Sequence, residues 1–312
     1  MTSSFPKLLV IGGPTASGKK KLALAAAERF NGEIVSADSR KVYRLLDIGT
    51  AKPSRGDRAR VPHHLIDIVE PDEAFSAGEW ARRAALVVGD IVSRGRLPVI
   101  SGGTGFYIAA FIEGLSDGIA PDIEVRGRLE REAEEKGADA LHARLAAIDP
   151  ERASELPPGD TVRVIRALEI YQTAGMTVTE LRCRPKVTYG EFDILFLGIG
   201  MDRAILYRRI DERVDEMVRA GLIGEVRALL DAGYRRDLVA LDTVGYKEWF
   251  SFIDGEDTYD SCIEKVKRNT RRYAKRQITW FRNRPGIRWM DCGNEEGVNG
   301  ALGEITRWYE GK

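Results

Sequence analysis

The sequence has few cysteines and histidines, no long apolar run and no net charge. Its three cysteines, Cys183, Cys262 and Cys292, lie far apart without a CxxC pair, which argues against a disulfide framework or a structural zinc site and fits a reducing cytoplasm. No apolar run approaches the ~20 residues of a membrane span, and MTSSFPK at the N-terminus lacks a signal-peptide pattern. Because 48 basic residues balance 48 acidic ones, any affinity for polyanions must come from local clusters of charge.

Short apolar runs alternate with amphipathic ones in the first part of the 312-residue chain. KLLVIGG, GEIVSADS and LPVISGG are predicted strands. KKLALAAAERF and SAGEWARRAALVVGDIVSRG are predicted helices, the second with Ser76 as N-cap and Glu79 completing a capping box. FDILFLGIGM is a further strand, and ILYRRIDERVDEMVRAGLIGEVRALLDAG follows as a helix that stops at Gly233. This alternation predicts a parallel sheet with helices on its faces.

The middle of the chain has a different pattern. Residues 117–187 are charge-rich and helical in character, without a clear strand. We therefore expect two parts: an α/β catalytic core from residues 1–116 and 188–312, with a basic helical region at its C-terminal end, and a helical insertion from residues 117–187. Ligands of such sheets bind at the carboxyl ends of the strands, where several polar turns of the core should converge.

The segment IGGPTASGKK joins the first strand to the first helix. Gly13, four residues, Gly18 and Lys19 fit a phosphate-binding loop, whose backbone N–H groups and helix N-terminus form an anion cradle. The alternative is a glycine turn without a ligand. The position after Lys19 should be Ser or Thr in such a loop, but it is Lys20. The predicted phosphate ligands are Gly13, Pro14, Thr15, Ala16, Ser17, Gly18, Lys19 and Lys20.

The residues that support nucleotide hydrolysis are missing from this pattern. A P-loop NTPase holds Mg²⁺ with a carboxylate at the end of a later strand and with the loop hydroxyl. The strand LPVI instead ends in Ser101-Gly102-Gly103-Thr104, and the hydroxyl position is Lys20. The sequence therefore predicts a P-loop NTPase-like α/β fold whose loop holds a phosphate that leaves intact, and it disfavours a nucleotide kinase.

Asp38 ends its predicted strand close to this loop and is followed by Ser39. Three roles are open for the carboxylate: metal ligand, helix cap or general base. A base beside a bound polyphosphate suits proton abstraction from a nucleophile that attacks near that phosphate. His63 and His64 are adjacent and would face opposite ways on a strand, so a shared metal is not expected.

The segment KVKRNTRRYAKRQITWFRNR, residues 265–284, contains nine basic residues, no acidic residue and three interleaved aromatic rings. This combination offers phosphate contacts and stacking surfaces for nucleic acid. The alternative is a basic outer helix face with the aromatic rings turned to the core. Arg163 and Arg166 lie one helical step apart in RVIRALE and form a possible second contact surface.

These segments together resemble the tRNA dimethylallyltransferase (tRNA isopentenyltransferase) family over nearly the whole chain. The matching segments are GPTASGK, SADSRKVYRLLDIGTAKP, VPHHLIDI, FSAGEWAR, SGGTGFY, RVIRALE, RIDERVDEM, VGYKE and RRYAKRQITWFR. Each segment alone is weak evidence for the family, but the order and spacing of all of them are highly specific to it.

The resemblance implies transfer of a dimethylallyl group from dimethylallyl diphosphate to N6 of adenosine 37 in tRNA, with release of diphosphate. It implies Asp38 as the general base and Thr104 near the bridging oxygen, and Arg203 and Arg213 are further candidates for diphosphate contacts. The tRNA contacts that it implies are Asp38, Ser39, Arg40, Lys41, Thr104, Arg163, Arg166, Thr270, Arg271, Arg272, Tyr273, Ala274 and Lys275. A cytoplasmic monomer with tRNA and dimethylallyl diphosphate as its partners is expected, with no membrane contact.

The chain departs from the family at two positions, Lys20 in place of Thr or Ser and Lys41 in place of the usual Gln. Mg²⁺ is expected from the resemblance alone, and no metal-ligating side chain is predicted. Our hypothesis is that Lys20 supplies part of the metal's charge; the alternatives are a solvent-facing Lys20 or a weakened paralogue. An isopentenyltransferase acting on free adenine nucleotides and a non-catalytic RNA-binding paralogue also remain open.

Overall fold

The computed structural model describes residues 5–116 and 119–311 of the chain. Six of its strands form one sheet, and two short ones form a separate antiparallel pair. In chain order, the strands of the described residues are β1 (Lys7–Gly12), β2 (Gly32–Ser36), β3 (His63–His64), β4 (Leu97–Gly102), β5 (Leu115–Ser116), β6 (Lys186–Val187), β7 (Asp193–Gly200) and β8 (Arg288–Asp291).

Helices connect these strands. They are α1 (Lys19–Arg29), α2 (Arg55–Arg60), α3 (Ala77–Ser93), α4 (Gly105–Ile112), α5 (Ile123–Lys136), α6 (Ala138–Ile148), α7 (Pro150–Ser154), α8 (Thr161–Ala174), α9 (Val178–Cys183), α10 (Arg203–Arg219), α11 (Leu222–Asp231), α12 (Phe250–Ile253), α13 (Tyr259–Arg282) and α14 (Glu295–Glu310). A 3₁₀ turn, Lys247–Trp249, precedes α12.

The chain divides into two compact units, Met1–Phe111 with Gly190–Lys312, and Ile112–Tyr189. The first unit contains the six-stranded sheet in the order β3-β2-β4-β1-β7-β8. All its neighbouring strands are parallel, with β1 between β4 and β7. The predicted parallel sheet flanked by helices is confirmed.

The central strands β1 and β4 are largely apolar and buried because helices cover both faces of the sheet. Leu8, Leu9, Val10 and Ile11 of β1 are all fully buried. On one face, α1 and α14 complete a core cluster with side chains from β1, β4 and β7. This central burial fixes where β1 ends, and therefore where the glycine loop begins.

Two helical predictions need adjustment. Ser76 caps α3 by accepting a hydrogen bond from the Glu79 N–H at 3.1 Å, but the Glu79 carboxylate pairs with Arg82 and Arg83 instead of closing the capping box. The predicted long helix up to Gly233 is interrupted at Gly221, which has φ +99° and separates α10 from α11. Glycine adopts this left-handed conformation without the steric cost of a Cβ atom, so the chain turns there.

The second unit consists of α5 to α9 around its own apolar core, with β5 and β6 paired at its ends. Its most buried acid, Glu169, accepts a hydrogen bond from the Asp122 N–H and forms ion pairs with Arg126 and Arg166. The unit extends a few residues beyond the predicted insertion of residues 117–187 at each end. Asp117, the first residue of that prediction, lies outside the described residues.

In the part of the chain that the structure describes, no helix is both long enough and apolar enough to cross a membrane.

Candidate active site

The polar turns that follow β1, β2 and β4 line one cavity of about 1080 Å³ in the first unit. Residues 15–20 of the glycine loop, residues 38–41 and residues 101–103 all contribute to its wall. The carboxyl ends of parallel strands meet at one edge of the sheet, so the convergence predicted from the sequence follows directly from the topology.

The glycine loop runs from the end of β1 to the first residue of α1. Gly13 has φ +146°, and a Cβ atom there would lie 2.6 Å from the carbonyl oxygen of Ile199. Gly18, with φ +91°, forms the left-handed N-cap of α1. The two glycines let the loop turn tightly and present the N-terminus of α1 to the cavity, as anion binding requires. Gly13 and Pro14 are buried behind the wall that residues 15–20 form.

Three cations face the cavity around one carboxylate. Burial and then the charges of Lys41 and Arg213, against the opposing attraction of Asp38, lower the pKa of the Lys19 ammonium to about 7. Burial also lowers the pKa of Lys41 and that of Arg213. The Lys19 ammonium donates to the Pro14 carbonyl at 2.5 Å. A site with this excess of buried positive charge favours a polyanionic ligand.

Asp38 lies two residues beyond β2 and lines the same cavity. Its Oδ1 accepts the N–H groups of Arg40 at 3.0 Å and Lys41 at 3.4 Å, so one carboxylate oxygen caps the local turn. Its Oδ2 faces the Lys41 ammonium at 4.0 Å. One oxygen therefore caps the turn and fixes the plane of the carboxylate, while the other faces Lys41. Of the roles that the sequence left open, the structure shows the cap.

Thr104 is close to Asp38, although Gly103 is the last residue of its turn to line the cavity. Its Oγ1 accepts the Ser39 N–H at 2.9 Å and its own N–H donates to the Ala37 carbonyl at 3.1 Å. Its hydroxyl also bonds to the phenol of Tyr273, whose pKa is raised to about 12 by burial and by the Asp38 charge. Thr104 thus joins the Asp38 turn to helix α13.

Lys20 is half-exposed at the cavity rim, where its ammonium lies 2.6 Å from Oδ2 of Asp57. Burial opposes ionisation of Asp57, yet hydrogen bonds from Lys20 and Ser54 lower its pKa to about 2. The ion pair cancels much of the charge that Lys20 would offer to a phosphate. The Lys20 side chain is therefore neither free in solvent nor an unpaired cation in the cavity.

The donor set does not fit a resident Mg²⁺ ion. Mg²⁺ is usually held by one or two carboxylates together with substrate phosphates. Here Asp57 is paired with Lys20, and Asp38 faces Lys41. Among the described residues, no group of three or more His, Cys, Asp or Glu side chains could hold a metal ion. His63 and His64 form β3 and bond separately, to the Val61 carbonyl and to Glu33.

The two arginines predicted for the diphosphate differ in position. Arg213 lines the cavity, but Arg203 does not. Arg203 lies in the exposed first turn of α10, where its guanidinium bonds to the hydroxyl of Tyr207 at 3.0 Å. The Cα atoms of the two arginines are about 15 Å apart, because ten residues of helix separate them. A single phosphate therefore cannot lie close to the backbone at both positions. Arg209, one turn before Arg213, lines the cavity in its place.

The predicted RNA contacts on α13 lie on different faces of the helix. Thr270 and Tyr273 line the cavity, and Arg272 and Lys275 are exposed. Ala274 is fully buried against Leu206 and Ile210 of α10, so its side chain is a core contact and that prediction is corrected. Arg271 forms an ion pair with Asp211.

Three further predicted RNA contacts are Arg40, which lines the cavity, and two arginines of the second unit. The Arg40 guanidinium donates to the Val239 carbonyl at 2.5 Å. Arg163 is exposed at the start of α8 and bonds to its N-cap, Asp160. Arg166 pairs with buried Glu169 and donates to the Ile119 carbonyl, contacts that stabilise the second unit itself.

Arg209 and Gln277 are among the cavity residues that sequence reasoning missed. The Arg209 guanidinium donates to the Gly293 carbonyl at 2.6 Å beside the glycine loop. Its i, i+4 spacing from Arg213 is a signal that could have found it. Gln277 bridges the glycine loop and the turn after β4, and no local pattern indicates this contact.

The fold and the cavity together define a P-loop-type α/β protein whose glycine loop and buried cations share a cavity with a carboxylate. A family model described as IPP transferase matches residues 41–284. A tRNA dimethylallyltransferase of Geobacter sulfurreducens is 49% identical over 288 residues, covering 92% of this chain and 93% of that protein. One of Geobacillus thermodenitrificans is 46% identical and covers 98% and 97%. The chain belongs to the IPP transferase family, as its motifs predicted.

Solved structures agree with this assignment. The full-length tRNA isopentenylpyrophosphate transferase of Bacillus halodurans is 41% identical, with a TM-score of 0.72 and 97% coverage of both chains. A eukaryotic dimethylallyltransferase described as acting on tRNA has a TM-score of 0.81 at 27% identity, covering 98% of this chain and 80% of its own. The P-loop-like fold prediction is thereby confirmed at the level of the whole chain.

Proposed function

We propose that this protein transfers the dimethylallyl group of dimethylallyl diphosphate to N6 of adenosine 37 in tRNA and releases diphosphate. The observation that carries the proposal is the shared cavity, in which the glycine loop and Lys19 lie on the same side of the sheet as the Asp38 carboxylate. An anion site and a base at one end of a sheet suit alkylation by an allylic diphosphate.

The proposed step breaks the bond between C1 of the allyl group and the diphosphate oxygen, which keeps the electron pair. The N6 lone pair forms the new C–N bond, and the N6 proton passes to Oδ2 of Asp38. Lys19, Arg213 and the loop N–H groups stabilise the charge that develops on the leaving group. Thr104 holds the Asp38–Ser39 turn through its bond to the Ser39 N–H.

Adenine must leave its stack before N6 can approach Asp38, which is easier in an anticodon loop than in a duplex. We assign the RNA surface to Ser39, Arg40, Lys41 and the exposed side of α13, with Tyr273 at the cavity. Arg272 and Lys275 are two of its exposed cations. Mg²⁺ is proposed to enter as the counterion of the diphosphate, since the protein's own donors do not hold it. A cytoplasmic monomer is the expected form.

Labelled dimethylallyl diphosphate, supplied with tRNA, with AMP or without an acceptor, tests this proposal. Label in tRNA alone, at the adenosine next to the anticodon, is the expected result. Label in AMP would instead favour an isopentenyltransferase of free nucleotides. Binding of tRNA without any transfer would contradict the proposal and favour a non-catalytic RNA-binding paralogue.

A further inference from the structure

Gln277 is a buried side chain of α13 that joins two distant parts of the cavity wall. Its Oε1 accepts the Thr15 N–H of the glycine loop at 2.8 Å. Its Nε2 donates to the Gly103 carbonyl at 2.9 Å. The residue is 7% exposed, so both ends of the amide are satisfied inside the protein. An amide carries one acceptor and one donor group, and this site uses both.

The turn after β4, at Gly102 and Gly103, is packed so closely on both sides that neither residue can carry a Cβ atom. A Cβ atom on Gly103 would lie 2.2 Å from Nε2 of Gln277, and one on Gly102 would lie 1.9 Å from the Ala37 carbonyl oxygen. The turn is therefore held between α13 and the residue that precedes Asp38. A shift of the Gln277 amide would move the Gly103 carbonyl with it, because backbone and side chain are in direct contact.

A continuous path of contacts leads from this turn to the carboxylate. Thr104 follows Gly103, and its Oγ1 accepts the Ser39 N–H at 2.9 Å. Ser39 is the neighbour of Asp38 in the chain. At the other end of the Gln277 amide, the Thr15 N–H is directed at Oε1 and away from a ligand, so the anion cradle consists of the N–H groups that follow it.

We propose that Gln277 is a positioning residue that sets the separation between the anion cradle and the Asp38 carboxylate. This rests on the proposed function. Transfer needs the allyl carbon and N6 in contact while the diphosphate stays in the cradle and the proton reaches Asp38. A misplacement of about 1 Å in such an arrangement costs on the order of 100-fold in rate. Gln277 controls this distance without contacting the reacting atoms.

Two substitutions separate positioning from simple packing. Gln277→Met keeps the size of the side chain but removes both hydrogen bonds. We expect kcat to fall about 100-fold while KM for tRNA changes little, because the RNA surface is untouched. Gln277→Glu keeps the acceptor for Thr15, but its carboxylate cannot donate to the Gly103 carbonyl.

The Glu variant gives a readout that a packing defect would not produce. The protonated acid donates through its O–H and restores the bond to Gly103, and burial raises the pKa of a carboxyl group at this position. The rate of Gln277→Glu relative to wild type should therefore rise as the pH falls and decline as the carboxyl ionises. Gln172→Glu is the matched control: Gln172 is exposed on α8, and its rate relative to wild type should stay constant with pH.

A Gln277→Glu rate that follows the wild type at every pH, or a Gln277→Met kcat within about threefold of wild type, would overturn the positioning role. Absence of transfer by the wild-type protein would instead contradict the proposed function. Thermal unfolding of each variant identifies loss of fold, and recovery of rate at low pH identifies a folded Glu variant. The two failures are thus distinguishable.

Discussion

Lys19 occupies the cavity with Lys41 and Arg213 nearby and Asp38 as its partner of opposite charge. Its pKa of about 7 in the free protein follows first from burial and then from the two neighbouring cations. A bound diphosphate would favour the charged ammonium, so ligand binding and protonation of Lys19 are coupled.

This coupling predicts that Lys19 takes up a proton when diphosphate binds above pH 7. Below pH 7 the ammonium is charged in both the free and the bound protein, so Lys19 adds no pH dependence. Above pH 7 the free protein loses the proton while the complex keeps it, and the affinity for inorganic diphosphate should weaken by up to about tenfold per pH unit. Calorimetry at pH 8 in two buffers of different ionisation enthalpy measures the uptake. Equal uptake by wild type and Lys19→Met would contradict the assignment.

Lys20 allows a test of the unusual loop position. Lys20→Thr removes the pair with Asp57 and restores a hydroxyl that can ligate a metal. We expect transfer by this variant to depend more steeply on Mg²⁺ than transfer by the wild type. Lys21→Thr, at the neighbouring exposed lysine that pairs with Glu295, should leave the magnesium titration unchanged. An absolute metal requirement in the wild type that Lys20→Thr does not alter would end the hypothesis.

Strand β2 is attached to the end of α3 through one buried carboxylate, Glu33. Hydrogen bonds from Arg94, against the opposing effect of burial, and then from His64 and Arg96 lower its pKa to about 2. A depressed pKa stabilises the fold above the unfolded value of 4.5, and this contribution is lost as the pH falls from there towards 2.

Glu33→Gln should therefore lower the free energy of unfolding by about 3 kcal/mol at pH 7 and by much less near pH 3. Urea unfolding of both proteins at the two pH values measures the difference. Glu28→Gln is the control, since Glu28 pairs with Arg60 on the surface and such pairs contribute less than about 1 kcal/mol. A pH-independent loss in Glu33→Gln would show that the ion pairs do not carry the effect.

Local patterns in the sequence predict the elements that local forces determine. The strand before Gly13, the loop up to Lys19 and the placement of Asp38 after β2 each follow from a few neighbouring residues. The break at Gly221 was missed because the apolar stripe continues across it. Only the left-handed conformation of that glycine reveals the turn.

Local sequence patterns do not predict contacts between residues that are far apart in the chain. Gln277 meets Thr15 across 262 positions. Lys20 of α1 meets Asp57 of α2, although β2 lies between these two helices in the chain. Glu225 provides a further case: its carboxylate accepts the N–H groups of residues 47–49 and the Tyr246 hydroxyl, and so fixes one wall of the cavity. These partners become evident only after the chain has folded.

The protein has no net charge, so the proposed affinity for tRNA requires local clusters of cations, such as the exposed ones of α13. Three cations of that basic segment are already paired, Lys265 with Asp257, Lys267 with Asp215 and Arg271 with Asp211. Arg272 and Lys275 are exposed, lie outside those three pairs and do not line the cavity, so they suit a test of phosphate contacts.

Arg272→Gln and Lys275→Gln should each weaken tRNA binding and reduce the slope of log K against log salt by about one. Binding of inorganic diphosphate should stay unchanged, because neither side chain lines the cavity. Filter binding across a salt series measures the slope. Arg29→Gln, at an exposed residue on α1, serves as the control. Unchanged slopes in both α13 variants would remove this helix from the RNA surface.

The most direct test of the whole account is the single-turnover rate of dimethylallyl transfer to tRNA by wild type and by Asp38→Asn. Asparagine keeps an oxygen acceptor for the N–H groups of Arg40 and Lys41 but cannot take a proton. The account predicts a rate lower by about 10² to 10⁴, with binding of tRNA and of diphosphate retained. A variant rate within about threefold of wild type would contradict the assignment of Asp38 as the proton acceptor.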